Sequence, residues 1–207
     1  MTSCPLHRLP LHLSLGAMAA LAVFAAPASA ESQYGSGTGT ITAQARVNLS
    51  ITVPKMILLR VGSPGATVDT LSWNSALSVA SAPTAPVDGN NQAANWDGTA
   101  PTASTAANPP GAVGVYAWTN APGGGSLSYT ASAFGAGGPT LGNITVTPAT
   151  GLAHPVPLAL ATSSTAAVTF AATTVATGSW TYTLGGTPAG WQAGTYTSQV
   201  TYTATSL

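Results

Sequence analysis

The chain has 207 residues, which is room for one ordinary domain or two small ones and excludes a large multidomain enzyme. Charged residues make up only 4% of the sequence, and four basic and four acidic side chains give a net charge of zero. So few Lys and Arg residues cannot form the basic surface that nucleic-acid binding requires. Because 45% of the residues are apolar, the chain can build a core, which excludes a disordered protein expanded by charge repulsion.

The first thirty residues have the features of a secretory signal peptide. Arg8 and the amino terminus precede an apolar run over residues 13–26, and small residues follow at 27–30. The run is too short for a membrane span, so we expect cleavage after Ala30 and a mature chain, residues 31–207, without a transmembrane segment. Cys4 is the chain's only cysteine and lies in this leader. The mature chain therefore forms no disulfide.

The segment Ile41–Val53 has the clearest pattern in the mature chain. Apolar side chains at odd positions alternate with polar side chains at even positions, from Ile41 to Val53 without a break. This period of two predicts a strand of an antiparallel sheet, with one face on a core and the other in solvent.

Six further runs have strand character. Shorter alternation predicts strands over residues 127–133, 144–147, 168–172, 180–184 and 196–204, and the apolar run 56–61 predicts a strand covered on both faces. Gly and Pro turn signals separate these runs. The sequence therefore predicts an all-β protein, an antiparallel immunoglobulin-like β-sandwich of seven or eight short strands in a single domain over residues 31–207; a barrel is the alternative. Residues from about 75 to 110 show little periodicity and predict a long loop.

The residues that could carry chemistry are few. His154 lies between Ala153 and Pro155, and no serine lies in a Gly-x-Ser-x-Gly elbow, so we expect no enzyme. Asp88 and Asp97 are the only near pair of acids, and both adjoin glycines as turn residues do. One His without Cys predicts no zinc site, and the Asp88 to Asp97 run lacks the acidic density of a calcium loop, so we expect no metal or cofactor.

A ligand site in the same loop is an alternative function. Trp96 lies in a polar run between Asp88 and Asp97 and could stack on a sugar, whereas Trp118 and Trp180 lie in strand-like runs and predict core packing. The alternative is thus a secreted carbohydrate-binding or other ligand-binding module with a site at Trp96, Asp88 and Asp97.

Two terminal segments carry a resemblance to a known family. Residues 39–53 follow a glycine-rich stretch, and residues 193–207 contain Gly194, the fourteenth residue from the carboxyl end, followed by alternating apolar positions. Both segments resemble the first and last strands of bacterial fimbrial subunits, the chaperone-usher pilins and the related spore-coat-U-like proteins. Ser206 stands where that family has a penultimate aromatic residue, and the cysteine pair of many members is absent, so disulfide-free fimbrial subunits fit better.

The resemblance implies a secreted structural or adhesive subunit that assembles by β-strand addition, in which another chain supplies a missing strand. Its implied partners are a periplasmic chaperone and like subunits, and its implied location is the periplasm and then the cell surface. Two placements of the segment Ile41–Val53 stay open: a strand donated to another chain, or the domain's own first strand. The residues implied in assembly are Ile41, Val47, Leu49, Gly194, Tyr196, Val200 and Tyr202.

Overall fold

The computed structural model describes residues 31–79, 85–108 and 111–207. The predicted signal peptide with Cys4 lies outside these residues. The chain divides between Thr52 and Val53 into two compact units, and each is described by itself. Among the described residues, none form a helix of the length and apolarity that a bilayer crossing requires.

The unit from Val53 to Leu207 is built of strands joined by loops and two single-turn 3-10 helices, Leu141–Asn143 and Pro188–Gly190. Nine strands lie in its described part: β1 (Ile57–Val61), β2 (Ser72–Ser78), β3 (Thr102–Asn108), β4 (Val113–Thr119), β5 (Gly125–Ala131), β6 (Ile144–Pro148), β7 (Val168–Phe170), β8 (Ala176–Leu184) and β9 (Val200–Ser206).

These strands form three antiparallel sheets. One sheet has the order β1-β4-β8-β6, a second has the order β7-β5-β9, and β2 and β3 form a separate two-stranded ribbon. The predicted all-β, antiparallel class is confirmed, and the arrangement is consistent with a β-sandwich.

The hydrophobic core is supplied by both larger sheets. Trp180 of β8 and Tyr129 of β5 are among its largest members, and both are almost fully buried, as expected for Trp180. The same expectation is wrong for Trp118, which is only half-buried on the outward side of β4 and is not part of the core cluster. The core cluster comprises Val115, Ala117, Leu127, Tyr129, Leu141, Ile144, Val146, Leu152, Leu160, Phe170 and Trp180. Burying such side chains is the main favourable contribution to the stability of a chain that has no disulfide in this unit.

Strand β5 shows how the sequence alternation produces this packing. Gly125, Leu127 and Tyr129 are buried, while the Ser side chains between them point to the other face. A Cβ atom at Gly125 would overlap the ring of Phe170, so a glycine is required for β7 to approach β5 this closely.

One border of the two larger sheets is covered by the connection between β6 and β7. Residues 158–160 pair with β6, through the amide of Val146 to the carbonyl of Leu158 at 2.8 Å and the amide of Leu160 to the carbonyl of Ile144 at 2.9 Å. Residues 162–164 pair with β5, where Ser164 N–H donates to the carbonyl of Tyr129 at 2.9 Å. The connection thus satisfies one edge of each sheet, and we call this side the closed border.

The opposite side is bounded by β1 and β9. Strand β1 pairs with β4, and β9 pairs with β5. The two strands lie side by side, yet no hydrogen-bond ladder joins them in the described part of the chain. We call this side the open border.

The predicted strand over Ile41–Val53 is wrong for this chain. These residues are extended but join no ladder, and all of them are exposed, with Leu49 and Ile51 at 89% and 88%. The alternation is compatible with a strand, but a strand also needs a hydrogen-bonded neighbour, and none of the described residues pairs with residues 41–53.

Two further expectations are corrected. The predicted loop at about 75–110 contains the end of β2 and the whole of β3, which pair along seven residues each. Strand β1 is not covered on both faces, because Leu58 is 56% exposed while Leu59 packs against the core. A continuous apolar run is typical of a strand buried on both faces. Strand β1 is instead an edge strand, and Leu58 is an apolar residue on its exposed face.

Candidate functional site

The open border is lined by apolar side chains from both strands. On each strand alternate residues are half-buried and pack against the core. On the outer faces Leu58, Thr201, Thr203 and Thr205 are exposed, whereas Arg60 is half-buried over the ring of Tyr116. The inward set consists of Ile57, Leu59 and Val61 of β1 and Val200, Tyr202 and Ala204 of β9. These are the side chains that an added strand would cover.

The backbone of the open border is also available. Each edge strand has one neighbour among the described residues, so half of its N–H and C=O groups point away from any ladder. Charged side chains, bulges and prolines, which commonly protect sheet edges, do not occur within β9, whose sequence is Val-Thr-Tyr-Thr-Ala-Thr-Ser.

The chain that enters β1 is held by the end of β4. Asn120 accepts the amide of Met56 through Oδ1 at 2.7 Å and donates from Nδ2 to the carbonyl of Pro54 at 2.7 Å. Thr119 Oγ1 donates to the carbonyl of Met56 at 2.8 Å. Residues 54–56 form no turn. These bonds fix the chain in an extended course on the β4 side of β1.

Tyr202 lies on β9 and connects the open border to the core. Its hydroxyl is 2.6 Å from the Tyr182 hydroxyl on β8 and 2.8 Å from Nε2 of His154. Burial raises the pKa of Tyr182 to about 12 and raises the pKa of Tyr202 further, with Tyr182 adding to the effect. Burial lowers the pKa of His154 to about 4, and the backbone of Pro155 offsets part of that shift. At neutral pH all three groups are uncharged.

Val200 and Tyr202, two of the residues implied in assembly, therefore lie on the open border. Gly194 and Tyr196 lie ahead of β9 and outside any strand. The Tyr196 hydroxyl donates to the carbonyl of Gln192 at 2.7 Å, and its ring lies where a side chain at Gly138 would be. Tyr196 thus fixes the loop that leads to β9.

Ile41, Val47 and Leu49 lie in the unit that ends at Thr52, where they are 51%, 69% and 89% exposed. Within this unit the described ion pair joins Arg46 Nε to Glu31 Oε2 at 3.8 Å, between exposed side chains, and such a pair adds little stability. The segment exposes its apolar face to solvent at every position.

Trp96, Asp88 and Asp97 lie in the exposed stretch between β2 and β3. Asp97 Oδ1 accepts hydrogen bonds from the amide and the hydroxyl of Thr99, which lower its pKa. The Trp96 indole N–H donates to the carbonyl of Thr99 at 2.6 Å, and the side chain stays 61% exposed. These bonds close a local turn around Gly98, as expected for Asp97, and none of them joins Asp88 to it.

Metal-ligand clusters and the surroundings of His154 can be read from the described residues. No group of three His, Asp or Glu side chains lies close enough there to hold a metal ion. The hydrogen bond that His154 makes is to a tyrosine, and the ring packs edge-on against Trp180 at a centroid distance of 4.8 Å. His154 is a core residue in this fold.

Several residues that contact the open border could not be predicted from the sequence. Asn120 is one polar residue in a polar turn, and its contact with Pro54 depends on the pairing of β1 with β4. Tyr182 and His154 meet Tyr202 through the packing of two sheets. The alternation after Gly194 is the signal that does locate β9.

Comparison with known protein families, with curated proteins and with solved structures gives no significant match to this chain.

Proposed function

We propose that this protein is a secreted structural or adhesive surface subunit that assembles by β-strand addition. In this proposal the segment Ile41–Val53 of one copy pairs with the open border of the next copy. A periplasmic chaperone would cover the open border before assembly, because an unprotected sheet edge is prone to nonspecific pairing.

One observation carries the proposal: the chain holds a strand-like segment without a sheet and two sheet edges without a strand between them. The segment has seven apolar residues on one face, and all are outside any ladder. The open border has half-buried apolar side chains and free backbone groups on both sides. Each element lacks what the other would supply.

The course of residues 54–56 disfavours one way of pairing within a chain. A hairpin of the segment with β1 would need a turn in residues 54–56, and the bonds from Asn120 to Pro54 and Met56 hold those residues extended. Pairing with β1 of a second copy needs no such turn.

The charge balance supports dense packing of copies. Residues 31–207 hold three basic and four acidic side chains, so neighbouring subunits repel each other only weakly, and β9 exposes Thr side chains on its outer face. Main-chain hydrogen bonds would supply affinity, and alternate side chains entering the border would set the register.

Substitutions on the two faces of the segment test this proposal. Leu49→Lys places a charge on the apolar face, and Asn48→Lys places the same charge on the polar face as the matched control. We expect sedimentation to show assemblies for the parent chain and Asn48→Lys, and a monomer for Leu49→Lys. Equal assembly of both variants would contradict strand addition through this face.

A second candidate function rests on Trp96. Its indole N–H is already bonded within the loop, yet the side chain is 61% exposed, so the ring is available for stacking on a sugar. A Trp96→Ala variant should lose binding on a glycan panel if this loop is a carbohydrate site. Unchanged binding would exclude it.

A further inference from the structure

The cluster of Tyr182, Tyr202 and His154 links the two larger sheets at the open border. Tyr182 belongs to β8 of the four-stranded sheet, and Tyr202 belongs to β9 of the three-stranded sheet. Their hydroxyls meet across the core at 2.6 Å, and His154 bonds to the same Tyr202 oxygen. Strand β9 has β5 as its single ladder partner, so this link is a second attachment for an edge strand.

The surroundings of His154 offer an added proton no opposite charge among the described residues. The residue is 2% exposed, and Trp180 of β8, Tyr129 of β5 and Tyr202 of β9 surround its ring. The titratable groups that face it are thus the phenols of Tyr129 and Tyr202, with Tyr182 behind them. No carboxylate or basic side chain is in described contact with the imidazole.

The hydrogen bonds indicate which nitrogen carries the proton at neutral pH. Nδ1 is buried and has no hydrogen-bond partner among the described residues. An unpaired N–H there would cost more than an unpaired lone pair, which assigns the proton to Nε2, donating to the Tyr202 oxygen. A second proton must then go to Nδ1, where it creates a buried cation that the backbone of Pro155 compensates only in part.

We infer that the Tyr182–Tyr202–His154 cluster is an acid-sensitive clamp on the open border: a second proton on His154 expels the imidazole from the cluster and loosens the attachment of β9 to the opposite sheet. Moving the imidazole into solvent removes its bond to Tyr202 and its packing against the Tyr202 ring, so that the bond between the Tyr182 and Tyr202 hydroxyls is the described polar link that remains between the two sheets. The consequence for assembly rests on the proposed function: a loosened β9 is a poorer acceptor edge, so acid weakens strand addition.

Hydrogen exchange of the amides of β9 tests the clamp. In the full parent chain we expect the protection of these amides, corrected for intrinsic exchange, to fall about tenfold or more between pH 7 and 4.5. Amides of β6 on the closed border, measured in the same samples, should change less. Equal protection of β9 at both pH values would overturn the inference.

Two variants distinguish the effect of protonating His154 from the effect of packing in the cluster. His154→Gln keeps a donor for Tyr202 but does not titrate, so the protection of β9 should change less than about twofold over the same range. Tyr202→Phe removes the hydroxyl and should lower the protection of β9 already at pH 7. A full acid response in His154→Gln would contradict the clamp.

The parent chain alone decides the question if His154→Gln does not fold. The imidazole resonance of His154 and the β9 amides are then followed in one NMR titration. The clamp requires β9 to open with the same midpoint at which His154 gains its proton. Opening at an unrelated pH would overturn it.

Sedimentation in the same buffers distinguishes failure of the clamp from failure of the proposed function. If β9 opens with acid in the parent chain and not in His154→Gln, but the chains assemble at neither pH, the clamp holds and strand addition fails. If the chains assemble while the protection of the β9 amides does not change with pH, strand addition holds and the clamp fails.

Discussion

The two borders differ in whether the edges of the larger sheets are paired. On the closed border residues 158–160 and 162–164 run along β6 and β5 and satisfy both sheet edges with the chain's own backbone. On the open border β1 and β9 lie side by side, and no described strand lies between them. A sheet edge needs a partner strand, and the described part of the chain supplies one on the closed border alone.

The difference also bears on whether the segment Ile41–Val53 pairs with a sheet. Residues 158–164 are held because both sheets offer them a backbone edge, β6 to residues 158–160 and β5 to residues 162–164. Residues 41–53 have a stronger alternation but join no ladder. Alternation therefore prepares a segment for pairing, and the available edge decides where the pairing occurs.

The largest effect is expected where the closed border meets the core. Trp180 is fully buried, and its indole N–H donates to the carbonyl of Leu152 at 3.0 Å, which ties the β6–β7 connection to β8. Trp180→Ala should lower the free energy of unfolding by about 4 kcal/mol in urea titrations. Trp96→Ala, at an exposed position, should change it by less than about 0.5 kcal/mol. Similar losses for the two variants would contradict the described core.

Acid should reduce stability through His154. Its pKa is about 4 in the folded chain against an ordinary value of 6.5, so between these values the unfolded chain binds more protons. The free energy of unfolding should therefore fall as the pH drops through 6.5 and level off below 4, by about 3 kcal/mol at most. Urea titrations across this range measure the slope, and His154→Gln should lack it. A parent chain whose stability is flat from pH 7 to 4 would refute the buried neutral imidazole.

A smaller effect is expected at the start of β1. Asn120→Ala removes two hydrogen bonds to the backbone of Pro54 and Met56 at a partly exposed site. The free energy of unfolding should fall by about 1 kcal/mol. Asn48→Ala, in the extended segment, is the matched control and should change nothing measurable. If both variants behave alike, residues 54–56 are not held by Asn120.

The smallest effect on monomer stability is expected in the segment Ile41–Val53. Leu49→Ala should change the free energy of unfolding by less than about 0.5 kcal/mol, because the side chain is 89% exposed. Leu127→Ala, the same change at a fully buried position of β5, should cost about 3 kcal/mol. Denaturation of dilute, unassembled protein measures both. A large loss at Leu49 would show that the segment packs within its own chain.

Much of the sandwich is visible in the sequence, because clear alternation marks five of its strands. Strands β5 to β9 each overlap a predicted run, although β8 begins at Ala176 and β9 at Val200. Strand β4 has no polar face to reveal it, since its outward positions include Tyr116 and Trp118. Strands β2 and β3 consist mostly of small residues, and their pairing depends on contacts distant in sequence.

The candidate site is less predictable than the strands. Val200 and Tyr202 follow from the alternation after Gly194, but the free edge of β9 depends on which strands pair elsewhere. The contacts of Asn120 with Pro54 and of His154 with Tyr202 arise from the packing of distant segments. No local pattern encodes such contacts.

Disulfide trapping between copies gives the clearest decision on strand addition. In a Cys4→Ser background, full chains with Ala204→Cys are mixed with chains carrying Val47→Cys, Leu49→Cys or, on the opposite face, Asn48→Cys, and are then mildly oxidised. We expect a mixed disulfide dimer with cysteine at 47 or 49 and little with cysteine at 48, because the apolar face must meet β9. Equal trapping from both faces, or none from either, would contradict donation of this segment to the open border.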